Sequence, residues 1–81
     1  MEKNLPQTKF RAGAICATVW QNENTGKDGQ PTSYFSVSLE RAYKDKKDEW
    51  QTTHSFRTAD LPKVEVVIRK AFEYLVLQQA A

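Results

Sequence analysis

His54 is the only histidine and Cys16 the only cysteine of the chain, so no internal disulfide and no thiolate cluster for a metal can form. No nucleophile, base or metal-ligand signature surrounds His54, which reads as a strand histidine without a catalytic role. Cys16 lies in an apolar stretch and reads as a small buried hydrophobe, since a reactive thiol needs access and a lowered pKa. Gly13, Gly26 and Gly29 do not form a phosphate-cradling run, and no paired-carboxylate or His-Glu-x-x-His pattern occurs. Asp45, Asp48 and Glu49 alternate with Lys44, Lys46 and Lys47, as in a solvated mixed-charge turn. These residues predict neither an enzyme nor a bound cofactor or metal.

The second set able to do chemistry is made of rings and cations. Trp20, Tyr34 and Trp50, with Tyr43 as a further ring, are interleaved with Lys9, Arg11, Arg41, Lys44, Lys46, Lys47 and Arg57. Unpaired bases stack on flat rings while cations follow the phosphates, without any demand on base sequence. Trp20, Tyr34 and Trp50 are the expected stacking residues, and the seven cations are the expected phosphate contacts. The competing reading puts the rings in the core and leaves the cations to keep the surface soluble.

Elements must bring these side chains together. Lys9–Gln21 (KFRAGAICATVWQ) reads as a strand with Ile15, Ala17 and Val19 on one side and Cys16, Thr18 and Trp20 on the other; a break at Gly13 would make it two. Asn22–Ser33 concentrates Asn, Gly, Asp and Pro, including Asp28-Gly29, and predicts a long hairpin loop able to close over a bound strand. Tyr34–Tyr43 alternates, with Phe35, Val37, Leu39, Arg41 and Tyr43 opposite Tyr34, Ser36, Ser38 and Glu40. After the Lys44–Glu49 turn, Trp50–Arg57 predicts a further strand, on which Trp50 and Arg57 fall on opposite faces unless a bulge intervenes.

The period then changes. Leu61, Val64, Ile68, Ala71, Phe72 and Leu75 form the apolar stripe of a helix over about residues 60–78, with Thr58 or Asp60 as its cap and Pro62 in its first turn. Val66, Val67, Tyr74, Val76 and Leu77 widen the stripe beyond what one sheet face needs. The expected fold is therefore α+β: a three- to four-stranded antiparallel sheet followed by one C-terminal helix. The expected homodimer interface comprises Val67, Ala71, Tyr74, Leu75 and Leu77.

Eighty-one residues leave room for one domain, expected over 9–81 behind a polar, flexible arm at 1–8. A chain of this size buries only about 60% of its unfolded surface, which also favours a partner subunit. Twelve Lys/Arg against ten Asp/Glu give a charge of +2, which permits a polyanion partner without demanding one. No export signal and no run of membrane-spanning length is seen, so a cytoplasmic protein with no membrane partner is expected.

In layout, YFSVSLERAYKDKKDEWQTTHSF followed by DLPKVEVVIRKAFEYL resembles the positive-cofactor-four family of transcriptional coactivators and its bacterial single-strand-binding relatives, over about residues 34–77. KFRAGAICATVWQNE and the helix also look like segments of small uncharacterised bacterial proteins. The coactivator resemblance implies a homodimer joined through C-terminal helices, whose curved sheets form a channel for single-stranded DNA. This chain departs from that family in its 22–33 segment and in its weaker basic balance. The combined expectation is a binder of single-stranded DNA, ahead of RNA, with little sequence preference; the alternative is a protein-interaction adaptor that uses a sheet edge or the helix face.

Overall fold

The computed structural model describes residues 3–25 and 28–79, with side chains described for 5–23, 28–30 and 32–77. Four strands, β1 (Lys3–Ala12), β2 (Ile15–Thr25), β3 (Pro31–Lys44) and β4 (Trp50–Thr53), form one antiparallel sheet in the order β1-β2-β3-β4. A 3₁₀ turn, Thr58–Asp60, leads into helix α1 (Leu61–Gln79). The α+β layout is the one expected, with the four-strand alternative realised. At Gly13 the chain folds back through a two-residue turn, Ala12 pairing with Ile15 and Gly13 taking the positive φ of 61° that such a turn requires at its first central position.

Two stretches whose composition predicts irregular chain are strand. Residues 3–8 of the expected arm pair with β2, Leu5 opposite Gln21 and Pro6 opposite Trp20; residues 1 and 2 lie outside the described residues. Pro6 is tolerated because β1 is an edge strand, and the register shifts between Pro6 and Thr8 at a bulge. The expected 22–33 loop also shrinks, because Asn22 pairs with Tyr34 and the ladder continues through Glu23–Ser33 to Thr25–Pro31. Only residues 26–30 connect the two strands. There the Asp28 carboxylate accepts the Gln30 amide at 3.0 Å and Gly29 has a φ of 81°.

β4 is shorter than expected. His54 leaves the ladder, its Nδ1–H donating to the Leu39 carbonyl at 2.9 Å, and the Ser55 amide donates to Thr53 Oγ1 at 3.2 Å. Phe56 can then pack toward the helix although Trp50 faces away from it. At the helix start the Asp60 carboxylate is almost fully buried. Oδ2 accepts the Arg57 amide at 2.9 Å and Arg57 Nε at 3.3 Å, and it pairs with Arg41 Nε at 3.5 Å. These donors hold its carboxyl below the ordinary value of 3.8, the Arg57 amide contributing most.

α1 lies across β1 and β2 and touches β3 only slightly. Its Val67 and Ala71 meet Ile15, Ala17 and Val19 in the core, with Phe10, Leu39, Phe56, Val64 and Leu75 around them. Small residues at 17 and 71 let the helix approach the sheet closely. Tyr74 meets Phe10 edge to face, with ring centroids 6.1 Å apart. This corrects the expected dimer interface. Val67 and Ala71 are spent on the chain's own core, Tyr74 and Leu75 are half-buried against it, and of that set Leu77 alone is exposed. The uncovered apolar residues of α1 are instead Leu61, Val66, Ile68, Phe72, Val76 and Leu77. No described helix is long and apolar enough to cross a membrane.

Candidate functional site

Strand pairing fixes which side chains share the face turned away from the helix. Paired residues lie on the same side of a sheet, so Lys9, Thr18 and Ser38 form one row and Arg11, Cys16 and Glu40 the next. Trp20 with Ser36 and Asn22 with Tyr34 extend this face toward one end, and Ala42 with Thr52 and Lys44 with Trp50 toward the other. Six of the ten expected contact residues, Lys9, Arg11, Trp20, Tyr34, Lys44 and Trp50, therefore share the open face. Glu40 is the one acidic strand residue on it among the described residues.

The rings differ in freedom. Trp20 is half-buried, and its Nε1–H donates to Ser38 Oγ at 2.8 Å, which fixes the indole against the sheet. Asn22 Nδ2 donates to Ser36 Oγ at 2.8 Å and holds the neighbouring hydroxyl. Trp50 is 68% and Tyr34 53% exposed. Lys44 Nζ stands 5.4 Å from the Trp50 ring centroid and 3.4 Å from an Asp48 carboxylate oxygen. Thr18, Cys16 and Asn22 are buried although no helix covers them: they are short side chains on the inner strand β2, with Lys9 beside Thr18, Arg11 and Glu40 beside Cys16, and Tyr34 beside Asn22, while the Trp20 indole reaches Ser38 in the Thr18 row.

Between β1 and β4 the face sinks into a concavity of about 420 Å³ lined by Arg11, Ala42, Trp50, Gln51 and Thr52. Ala42 makes the depression: it is a methyl group on β3 between the longer Glu40 and Lys44 of the same face. An indole, a guanidinium and a hydroxyl converge there. Lys9 and Arg11 form no ion pair with any described residue, so their charge is available to an anion.

Lys46 and Lys47 lie in the exposed turn between β3 and β4, whose organiser is Asp45. Its Oδ1 accepts the amides of Lys47 at 2.9 Å and Glu49 at 3.0 Å, and Oδ2 accepts Gln51 Nε2 at 3.1 Å. These bonds, the Glu49 amide first, lower the Asp45 carboxyl from its ordinary value of 3.8. Asp48 completes the turn with a φ of 64°.

Arg41 and Arg57 are not part of this arrangement. Arg41 lies on the helix side, donates to the Ser55 carbonyl at 3.1 Å and stacks 5.8 Å from the Tyr43 ring; both arginines face Asp60. A buried carboxylate at the helix start takes cations that alternation alone left free. Ala42 and Thr52 have no part in the site expected from sequence, since a small residue marks a depression only when the register names its neighbours.

Cys16 is a buried free thiol with Sγ 3.9 Å from Thr18 Oγ1. No group of three His, Cys, Asp or Glu side chains suited to a metal occurs among the described residues. The arrangement offers flat apolar surface, hydroxyls and positive charge on one face. Comparison with protein-family models, curated proteins and solved structures returns no match to this chain.

Proposed function

We propose that the chain binds single-stranded nucleic acid on the open sheet face, DNA ahead of RNA, with little sequence preference. Bases stack on Trp50 and Tyr34 and on the accessible part of Trp20, while Lys9, Arg11, Lys44, Lys46 and Lys47 engage phosphates. The observation that carries this reading is the concavity beside Trp50, where an exposed indole and an ion-pair-free guanidinium flank a gap floored by a methyl group. Its volume lies within the range of about 300–1,000 Å³ usual for small-ligand sites. A flat base with an attached phosphate matches it in shape and charge. The layout resemblance to the positive-cofactor-four family points the same way, and a cytoplasmic setting suits the reading.

Tryptophan fluorescence during titration with a thymidine oligomer tests it. Quenching at low salt, with affinity falling as salt rises, is the expected result. Unchanged fluorescence together with no oligomer binding at low salt overturns it. The exposed apolar residues of α1 favour a second reading, a protein-interaction module; that module would retain its partner at a salt concentration that strips an oligonucleotide.

A further inference from the structure

The outer edge of β3 is half empty. β4 pairs with β3 only along Arg41–Lys44, and no other described strand lies beside the 31–39 half. The Ala42 amide donates to the Ala14 carbonyl at 2.9 Å, so even-numbered residues of β3 turn their backbone groups toward β2 and odd-numbered ones outward. The outward Leu39 carbonyl, taken by His54, agrees with this parity. Ser33, Phe35 and Val37 thus offer outward N–H and C=O groups without a partner strand among the described residues.

Natural edges are usually blunted by charge, proline or bulges, yet residues 33–39, SYFSVSL, carry no charge. The edge is also apolar on its helix side. Val37 is 42% exposed there, and because α1 lies over β1 and β2, the β3 side of the helix leaves Ile68 and Phe72 uncovered.

We propose that a second copy of this chain occupies this edge, its β3 antiparallel to the first about a two-fold axis through Phe35. The register follows from the backbone chemistry. Centred on Phe35, Ser33 faces Val37 of the second copy and Pro31 faces Leu39. Pro31 has no N–H to give, and the Leu39 carbonyl is already bonded to His54, so the remaining Leu39 N–H and Pro31 C=O match each other. No backbone group is left over on either strand. The contact uses the same patch on both copies and closes on itself, as two-fold interfaces do. It joins the sheets in the order β1-β2-β3-β3-β2-β1 and makes the two open faces one surface. Tyr34 then stands opposite Ser36 of the second copy at the seam. The inference stands on the edge and the apolar face, independently of any nucleic acid.

Light scattering on the full chain tests it. The expected mass is twice 9.3 kDa at micromolar concentration. Val37→Pro removes an outward N–H at an edge position where proline is tolerated, and Val37→Lys places a charge on the seam at an already exposed site. Both variants are expected at 9.3 kDa with the wild-type near-ultraviolet circular dichroism; if the proline variant fails to fold, the lysine variant decides. Phe35→Cys is expected to cross-link two copies on mild oxidation, and Ser33→Cys is not. A wild-type mass of 9.3 kDa, or dimers that persist in Val37→Lys, overturns the proposal, and cross-linking through position 33 instead of 35 overturns the register. Oligonucleotide titration of the same samples reports on the nucleic-acid reading separately.

Discussion

Trp50 and Trp20 share a face but not a role. The Trp50 ring is exposed, with Lys44 above it and the concavity beside it, and it is not part of the core cluster, so its removal touches no core contact. Trp50→Ala is expected to leave stability within about 0.5 kcal/mol of wild type. Oligomer affinity is expected to fall about 5- to 150-fold, the worth of one stacked base. Equilibrium titration beside a denaturant melt separates the two quantities. Trp20 is half-buried and hydrogen-bonded to Ser38, so Trp20→Phe is expected to cost about 1 kcal/mol in the melt as well as some affinity. An unchanged melting curve for Trp20→Phe would show that this bond does not hold the face together. At this scale the alternation of β3 made Tyr34 and Glu40 readable as open-face residues. The fate of Arg41 and Arg57 was not readable, because the carboxylate that recruits them comes from a turn whose burial only the folded chain defines.

The elements depend on two small constructions. One is the β2–α1 contact, where Ile15 is completely buried against Val67 and Ala71; Ile15→Ala is expected to cost about 2–5 kcal/mol in a urea melt. The other is Asp60, which fastens Arg57 and Arg41 at the helix start. Its carboxyl has a lower pKa folded than unfolded, so its contribution is present above the ordinary value of 3.8 and is lost as pH falls through the folded pKa. Asp60→Asn is expected to be less stable than wild type at neutral pH, with the gap narrowing in acid. A gap of constant size from pH 7 to pH 2.5 would remove Asp60 from this role.

Periodicity made the helix, with Pro62 in its first turn, and the turn at residues 44–49 legible. The hairpin ends were not, since residues 22–25 and 31–33 are polar and turn-like by composition. They are strand because the ladder started by Val19–Val37 continues through Asn22–Tyr34 to Thr25–Pro31. Residues 3–8 read as an irregular arm for a related reason: an edge strand can be polar and hold a proline.

The molecule as a whole is a thin plate, 49 × 30 × 17 Å, with unlike faces. One carries the helix and an uncovered apolar border; the other carries Trp50, Tyr34, Lys9, Arg11 and Lys44. The separation gives the proposed second copy and the proposed polyanion different surfaces to bind. The sidedness of β2 and β3 was legible because strand parity survives errors in strand length, whereas the side taken by Trp50 and the concavity were not, since both depend on which residues of β1, β3 and β4 stand abreast.

The most direct measurement is the affinity of a thymidine oligomer, followed by tryptophan fluorescence, as a function of salt, for the wild-type chain and for Lys9→Ser/Arg11→Ser. We expect quenching at low salt and a linear fall of log affinity with log salt, shallower by about 0.7 in the double variant for each phosphate contact it loses. Affinity indifferent to salt, or a double variant with the wild-type slope and affinity, would contradict an open face that holds single-stranded nucleic acid through these cations.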